Sequence, residues 1–320
     1  MTDKSTQLRD RIGFGTGHLN PHLGRSNAVR LIHAAMDAGV THIDTARLYG
    51  EGEAEDYIGE ALKGRRNQVF LVSKAGILPA QNSVSRRVVN KLLTRGRALP
   101  GGTAILPKPT WAEPRFGAFG VKELRASLDA TLEKLGTDYL DLFLLHEVDL
   151  AHLDSGEVVG MLEEWKKQGS IRFYGIASTP DQTREILDSG AEFDYVQTAA
   201  SIFDRNVKEF SHGDHMLITH SWLGAAMARF RRAFEMDPAM ADKAARVLYT
   251  DVRKPDQLAQ CLLRHALDAN SDGRVLFSTS HPARIMDMVR AAESGELTQD
   301  QRVGLACVAR TVRAMTADQD

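Results

Sequence analysis

Residues 136–146 read GTDYLDLFLLH. The glycine and the Thr-Asp pair are stop and turn signals. The six residues from Leu140 to Leu145 that follow are apolar apart from Asp141, and His146 closes them. A run this short and apolar at both parities suits a strand covered on both faces, as in a parallel sheet. Just upstream, residues 121–135 (VKELRASLDATLEKL) place Leu124, Leu128, Leu132 and Leu135 on one helical face, ending at Gly136. Helix, glycine stop and buried strand form one unit, and the unit recurs along the chain. Apolar runs stand at 12–16, 41–45, 69–74, 140–146, 173–178, 195–199, 216–222 and 275–279. Helical patterns lie between them. One begins at Ser26 as N-cap and stops at Gly39, and another covers 158–168 and stops at Gly169. A third spans 179–187 with Pro180 at the first helical position, and two more cover 254–267 and 282–292. Eight strand–helix pairs in unbroken rhythm predict an α/β fold, a (β/α)8 TIM barrel, with residues 1–320 as one domain.

The segment from about 77 to 120 departs from this rhythm. It is about twice the length a βα loop needs. It holds Pro79, Pro100, Pro107, Pro109 and Pro114, half of the ten prolines. Its basic residues are Arg86, Arg87, Lys91, Arg95, Arg97, Lys108 and Arg115, against the single acid Glu113. Following the third strand, it would stand over the catalytic end as a lid. The competing reading is a solvated insertion.

Composition excludes several classes. The 40 Lys+Arg and 42 Asp+Glu give a net charge of −2, with no basic excess for nucleic acid. No run approaches the ~18 apolar residues of a membrane span. Cys261 and Cys307 form no CxxC pair, and the start MTDKSTQLRD lacks an apolar leader core. Both features predict a cytoplasmic protein. The pair His212 and His215 falls in a polar loop, and no metal site is expected.

In a barrel, all strand C-termini meet at one face. Asp44, Lys74, His146, Ser178, Ser221 and Thr279 stand at the ends of runs, Gln197 stands within the sixth, and Tyr49 follows Asp44 by five residues. Singly, a Lys after VFLVS could be a surface residue and the His a core one. Together they suggest a pocket. An ammonium beside a phenol favours phenolate, and Asp44 can hold that ammonium by a charge-assisted hydrogen bond. His146 can hydrogen-bond a substrate oxygen. Such a set protonates a carbonyl oxygen while a nucleophile from a cofactor reaches its carbon.

The chain resembles the aldo-keto reductase family over nearly its whole length. The motifs that carry the resemblance are GFGTG, HIDTARLYGEGEAEDYIGEAL, SKAG, GTDYLDLFLLH, IRFYGIAS and HPARI. The insertion after SKAG loosely resembles the branch with sugar and pyridoxal dehydrogenases. The resemblance implies NADP-dependent reduction of an aldehyde or ketone, or the reverse oxidation. Tyr49 would be the general acid, Lys74 its tuner, Asp44 the orienter of Lys74, and His146 the carbonyl anchor. Cofactor contacts would come from Thr16, Ser178, Thr179 (where the family has Asn), Gln197, His220 (where it has a stacking Tyr), Ser221 and Leu223. At the eighth strand they would come from Ser278 (in place of a phosphate-binding Lys), Thr279, Arg284 and Asp287. NADP is the expected cofactor, with NAD as an alternative. Glu147 and Gly17 stand where the family often has tryptophans, so a small polar or sugar-like carbonyl is expected, with Trp111, Phe116 and Trp222 as replacement walls. The resemblance also leaves open a non-catalytic nicotinamide-binding subunit that regulates a partner. A metal-dependent barrel hydrolase would need more His and Asp at the strand ends. The oligomeric state is not read from the sequence.

Overall fold

A computed structural model describes residues 8–80, 113–153, 156–204 and 206–317. Eight parallel strands close into a barrel in sequence order, and the last pairs with the first. They are β1 (Ile12–Gly15), β2 (His42–Asp44), β3 (Phe70–Ala75), β4 (Leu140–His146), β5 (Ile171–Ala177), β6 (Tyr195–Ala199), β7 (Met216–His220) and β8 (Arg274–Phe277). Helices return the chain outside: α1 (Arg25–Asp37), α2 (Ala54–Ala61), α3 (Val121–Leu135), α4 (Glu157–Gln168), α5 (Pro180–Asp188) and the short α6 (Asn206–Phe210). After β7 come α7 (Gly224–Met236), α8 (Pro238–Leu248) and α9 (Pro255–Ala269), and after β8 come α10 (Pro282–Glu293) and α11 (Gln299–Met315). The predicted barrel is thus the observed one.

The local signals explain most element ends. Gly136 ends α3 at φ 62°, a left-handed conformation that glycine reaches without a Cβ clash. Thr179 caps α5, accepting from Gln182 N, with Pro180 in the first turn. One start differs from expectation. Gly24, at φ 79°, is the N-cap of α1, so Ser26 lies inside its first turn.

Three hydrophobic clusters hold the fold. The largest fills the layer between strands and helices, with Phe14, Ile32, Leu71, Phe143, Leu145 and Trp165 among its members. A smaller one fills the barrel itself, with Val72, Leu142, Leu144, Ile218 and Leu276. The third joins α7, α8, α9 and α11 through Phe230, Phe234, Met240, Leu262, Leu305 and Val312. Fully burying one such side chain contributes roughly 1.5–3 kcal/mol. The C-terminal helix therefore packs outside the barrel, with Leu305, Val308 and Val312 inward and Val303 60% exposed.

The ends of the long segment are pinned together. Leu78 and Arg115 exchange backbone hydrogen bonds of 2.9 and 3.0 Å, and Ala118 N donates to Gly76 O at 2.9 Å. Phe116, beside this bridge, is largely exposed. Most of the expected lid (residues 81–112), with Trp111, lies outside the described residues.

Candidate active site

Side chains alternate in and out along each strand. The interior residues Val72, Leu144, Tyr195, Ile218 and Leu276 fix which parity faces the barrel axis. Two residues further on, the same parity brings in Lys74, His146, Gln197, His220 and Ser278. On β2 the inward residues are His42, stacked on the interior ring of Phe70 at 5.4 Å, and then Asp44. Of the polar strand ends picked from the sequence, Asp44, Lys74, His146 and Gln197 thus meet at the C-terminal mouth of the barrel.

Lys74 is the centre of the group. Its ammonium donates to Asp44 Oδ1 at 2.5 Å, to the carbonyl of Thr45 at 3.0 Å and to the Tyr49 hydroxyl at 3.4 Å. It also lies 4.9 Å from the centre of the Tyr49 ring. Burial works to lower the Lys74 pKa, but Asp44 and Tyr49 outweigh it, and the pKa ends above the ordinary lysine value. The other oxygen of Asp44 accepts from Gln197 Nε2 at 2.8 Å. Thr16 is fully buried, and its hydroxyl donates to the Asp44 carbonyl at 2.9 Å. Its side chain braces β2 against β1.

His146 meets Tyr49 edge-on, with ring centres 6.0 Å apart. Burial, then the charge of Lys74 and the proximity of His220, push its pKa down to about 3. His220 is held down to about 4, chiefly by burial and then by Lys74, and its Nδ1 is 2.8 Å from the Ser221 hydroxyl. Both rings are neutral near pH 7, so each offers one donor and one acceptor.

The remaining expected residues have varied surroundings. The Ser178 hydroxyl donates to Val148 O at 2.8 Å, and Thr179 serves as the cap of α5. Leu223 precedes α7 and packs against two of the clusters. Thr279 accepts from His281 N at 3.1 Å. Arg284 is exposed in the first turn of α10, with no ion-pair partner among the described residues. Asp287 faces Arg290 at 3.8 Å. Glu147 follows His146 at φ 57°, half-buried, and burial raises its pKa. Trp222 does not reach the pocket. Its indole donates to Thr219, whose parity points out of the barrel, and it packs edge-on against His265 of α9 at 5.8 Å. It is a core residue behind the sheet.

His18 escaped the sequence reading. The Ser278 hydroxyl gives its one proton to Gly15 O at 2.6 Å, so His18 Nδ1, 2.8 Å from that hydroxyl, must be the donor. The signal was nonlocal: closure of β1 on β8 brings together residues 260 positions apart. Gly17, beside His18, leaves the Tyr49 ring uncovered, since a Cβ there would rest 3.8 Å from that ring. Among the described residues no group of three or more His, Cys, Asp or Glu is placed to hold a metal, and no helix is long and apolar enough to cross a membrane.

The model of the aldo/keto reductase family matches residues 11–303. The chain is 32% identical over 168 residues to methylglyoxal reductase YeaE of Escherichia coli (strain K12), covering 52% of this chain and 45% of that protein. It is 30% identical over 206 residues to the NADH-specific methylglyoxal reductase of the same organism, covering 61% and 56%. It thus spans about half the length of these curated relatives. Among solved structures, aldo-keto reductase AKR11C1 from Bacillus halodurans (holo form) superposes with a TM-score of 0.66 at 22% identity, covering 93% of this chain and 91% of that one. An aldo/keto reductase from Klebsiella pneumoniae in complex with NADP and acetate gives 0.63 at 20%, covering 94% and 91%. At these identities the likeness is one of fold.

Proposed function

The chain belongs to the aldo/keto reductase family, and on that premise we propose that it reduces an aldehyde or ketone with NADP(H), or runs the reverse oxidation, on a small polar or sugar-like carbonyl. The observation that carries this reading is the buried Lys74, held by Asp44 at 2.5 Å while facing the Tyr49 hydroxyl at 3.4 Å. Tyr49 gives its proton to the carbonyl oxygen. Lys74 stabilises the phenolate left behind, and Asp44 keeps the ammonium charged and aimed. A neutral His146 donates a hydrogen bond to the same oxygen without competing as an acid. Groups of this kind typically contribute about 10²–10⁴ in rate.

The donor set fits a nicotinamide dinucleotide. The Gln197 side-chain carbonyl has no hydrogen-bond partner among the described residues, while its amide nitrogen is tied to Asp44. His220 is a neutral flat ring, Gly17 puts no side chain against the Tyr49 ring, and Arg284, in the first turn of α10, has no ion-pair partner among the described residues. A bound nicotinamide supplies the hydride that the carbonyl carbon receives. Ser178, Thr179 and Gln197 would hold its carboxamide and His220 its ring. Ser221 and Leu223 would follow the pyrophosphate through their backbones. Thr279, Arg284 and the N-terminus of α10 would hold the 2′-phosphate, with Ser278 and Asp287 alongside. An NADH-specific relative keeps NAD as the alternative cofactor.

Glu147 supports the substrate class. Its left-handed backbone costs on the order of 1 kcal/mol or more and is the kind of strain that functional sites retain. Its carboxylate has no hydrogen-bond or ion-pair partner among the described residues, so it is free to accept from substrate hydroxyls. The test is a nicotinamide fluorescence titration with NADPH and NADH, then a carbonyl panel with the parent and Tyr49→Phe. The expected result is NADPH binding within a few-fold and turnover lower by several orders of magnitude. Unchanged turnover in the variant would overturn the assignment. Nicotinamide binding with no carbonyl reduced by the parent would favour a regulatory subunit.

A further inference from the structure

Behind the barrel wall, on the far side of β3 from Lys74, lies a second buried carboxylate. Glu55, in the first turn of α2, is 1% exposed. Its Oε1 accepts from the Ser73 hydroxyl and from the Thr131 hydroxyl, both at 2.8 Å. Its Oε2 accepts from the guanidinium of Arg47 at 3.3 Å. Ser73 precedes Lys74 in the strand, so one points out of the barrel and the other in. Arg47 lies two residues before Tyr49, and its backbone N–H donates to Lys74 O at 3.2 Å.

We infer that Glu55 is a positioning residue for the Tyr49–Lys74 pair, a single carboxylate anchoring both the strand that carries the ammonium and the turn that carries the phenol. The inference rests on the roles proposed above for Tyr49 and Lys74. The contact it governs has little slack. At 3.4 Å the Lys74–Tyr49 hydrogen bond is already long, and a few tenths of an ångström more would break it. The turn itself is not at rest. Glu51 holds a left-handed φ of 59°, a conformation that a residue with a Cβ rarely adopts. Such a turn keeps its shape only when its surroundings hold it.

The choice of a carboxylate follows from the donors. Hydroxyls from β3 and α3 and a guanidinium from the β2–α2 loop converge on one spot. An ionised carboxylate, with about four lone-pair sites and no donor of its own, accepts from all three. Desolvation offsets most of the attraction in a buried ion pair, so the net stability gained is small. What the pair supplies is direction. It clamps the loop through Arg47 to the same strand that carries Lys74.

Glu55→Gln tests this. The amide oxygen still serves Ser73 and Thr131, but the amide nitrogen turns a donor toward Arg47. The expected result is NADPH affinity and KM within a few-fold of the parent, with kcat for carbonyl reduction down about 100-fold. A second readout needs no turnover. Tyrosinate absorbance of the cofactor-free protein, taken as the difference from Tyr49→Phe, reports the ionisation of Tyr49 alone. Removing the negative charge of Glu55 would by itself move that ionisation to lower pH. Loss of the Lys74 contact moves it to higher pH, and the higher value is expected. Glu55→Asp keeps the charge but shortens the reach. It should show a smaller shift in the same direction and an intermediate kcat, and it serves if Glu55→Gln fails to fold. A folded variant with a lowered melting temperature but unchanged kcat and tyrosinate titration would make Glu55 purely structural and overturn the inference. If the parent reduces no carbonyl, the tyrosinate titration still decides. An upward shift supports positioning while the proposed activity falls, and no shift overturns positioning itself.

Discussion

Lys74 and Asp44 form an ion pair of 2.5 Å inside the barrel, with side chains 1% and 3% exposed. Neither charge reaches bulk water, so each depends on the other. That dependence makes the pair a sensitive probe of the site.

In Asp44→Asn the ammonium keeps its burial and loses its counter-charge. Breaking a buried pair from one side costs about 3–5 kcal/mol. In the parent the folded-state pKa of Lys74 is raised, so its contribution is complete below the ordinary lysine value of about 10.4 and is lost as pH rises through the folded value. In the variant only Tyr49 still opposes burial, and the folded value is expected to fall below the ordinary one. Stability should then recover as pH rises from that lowered value to the ordinary one. Urea unfolding between about pH 8 and 11 should show slopes of opposite sign. Parallel slopes would show that Asp44 does not hold the charge.

Acid should unfold the protein through its buried imidazoles. The pKa of His146 is pushed down to about 3, and those of His220 and His265 to about 4, each mainly by burial. From about pH 6.5 downward the unfolded chain binds protons that the folded chain refuses. Stability therefore falls with pH through that window, by about 1.4 kcal/mol per pH unit for each such proton. His265→Phe, well away from the pocket, should flatten the slope by about one proton. An unchanged slope would mean that His265 charges in place. For the same reason His146 should add no acid limb to the rate profile above about pH 4.

Arg284, in the first turn of α10, has no ion-pair partner among the described residues, and Ser278, where the resemblance expects a lysine, has its hydroxyl tied to Gly15 and His18. Arg284→Ala should weaken NADPH by roughly 2–3 kcal/mol and NADH far less. Ser278→Lys should tighten NADPH selectively. Equal losses for both cofactors on removal of Arg284 would mean that it packs on the adenine and does not read the 2′-phosphate.

Trp222→Phe should change stability and leave selectivity alone. It removes one hydrogen bond to Thr219, which still accepts from Asn270 Nδ2 at 3.2 Å. A loss of about 1–2 kcal/mol is expected by thermal or urea melting. The ratio of kcat/KM between carbonyls should stay constant. A shifted ratio would return Trp222 to the pocket wall.

The barrel was legible because its signals are local. A buried parallel strand is a short run apolar at both parities, as at Leu140–His146, and a helix end is a glycine such as Gly136, so neither needs knowledge of the partner. The convergence of Asp44, Lys74, His146 and Gln197 also followed from sequence, since barrel closure and period-two alternation send every strand's end residue to one mouth. Helices α7 and α8 were missed because Gly224 opens the first without a capping side chain and the two run on with only Asp237 between them. Trp222 was misplaced by a matter of parity. One register step separates the inward His220 from the outward Thr219 that holds its indole, and the run at 216–222 did not say where the strand stopped. The pairing of His18 with Ser278, and of Glu55 with Ser73, Arg47 and Thr131, belongs to the tertiary structure alone. Hydrogen bonds have no periodicity to read along a chain. Their partners, up to 260 residues apart, are chosen only when closure of the barrel brings the donors within about 3 Å of an acceptor.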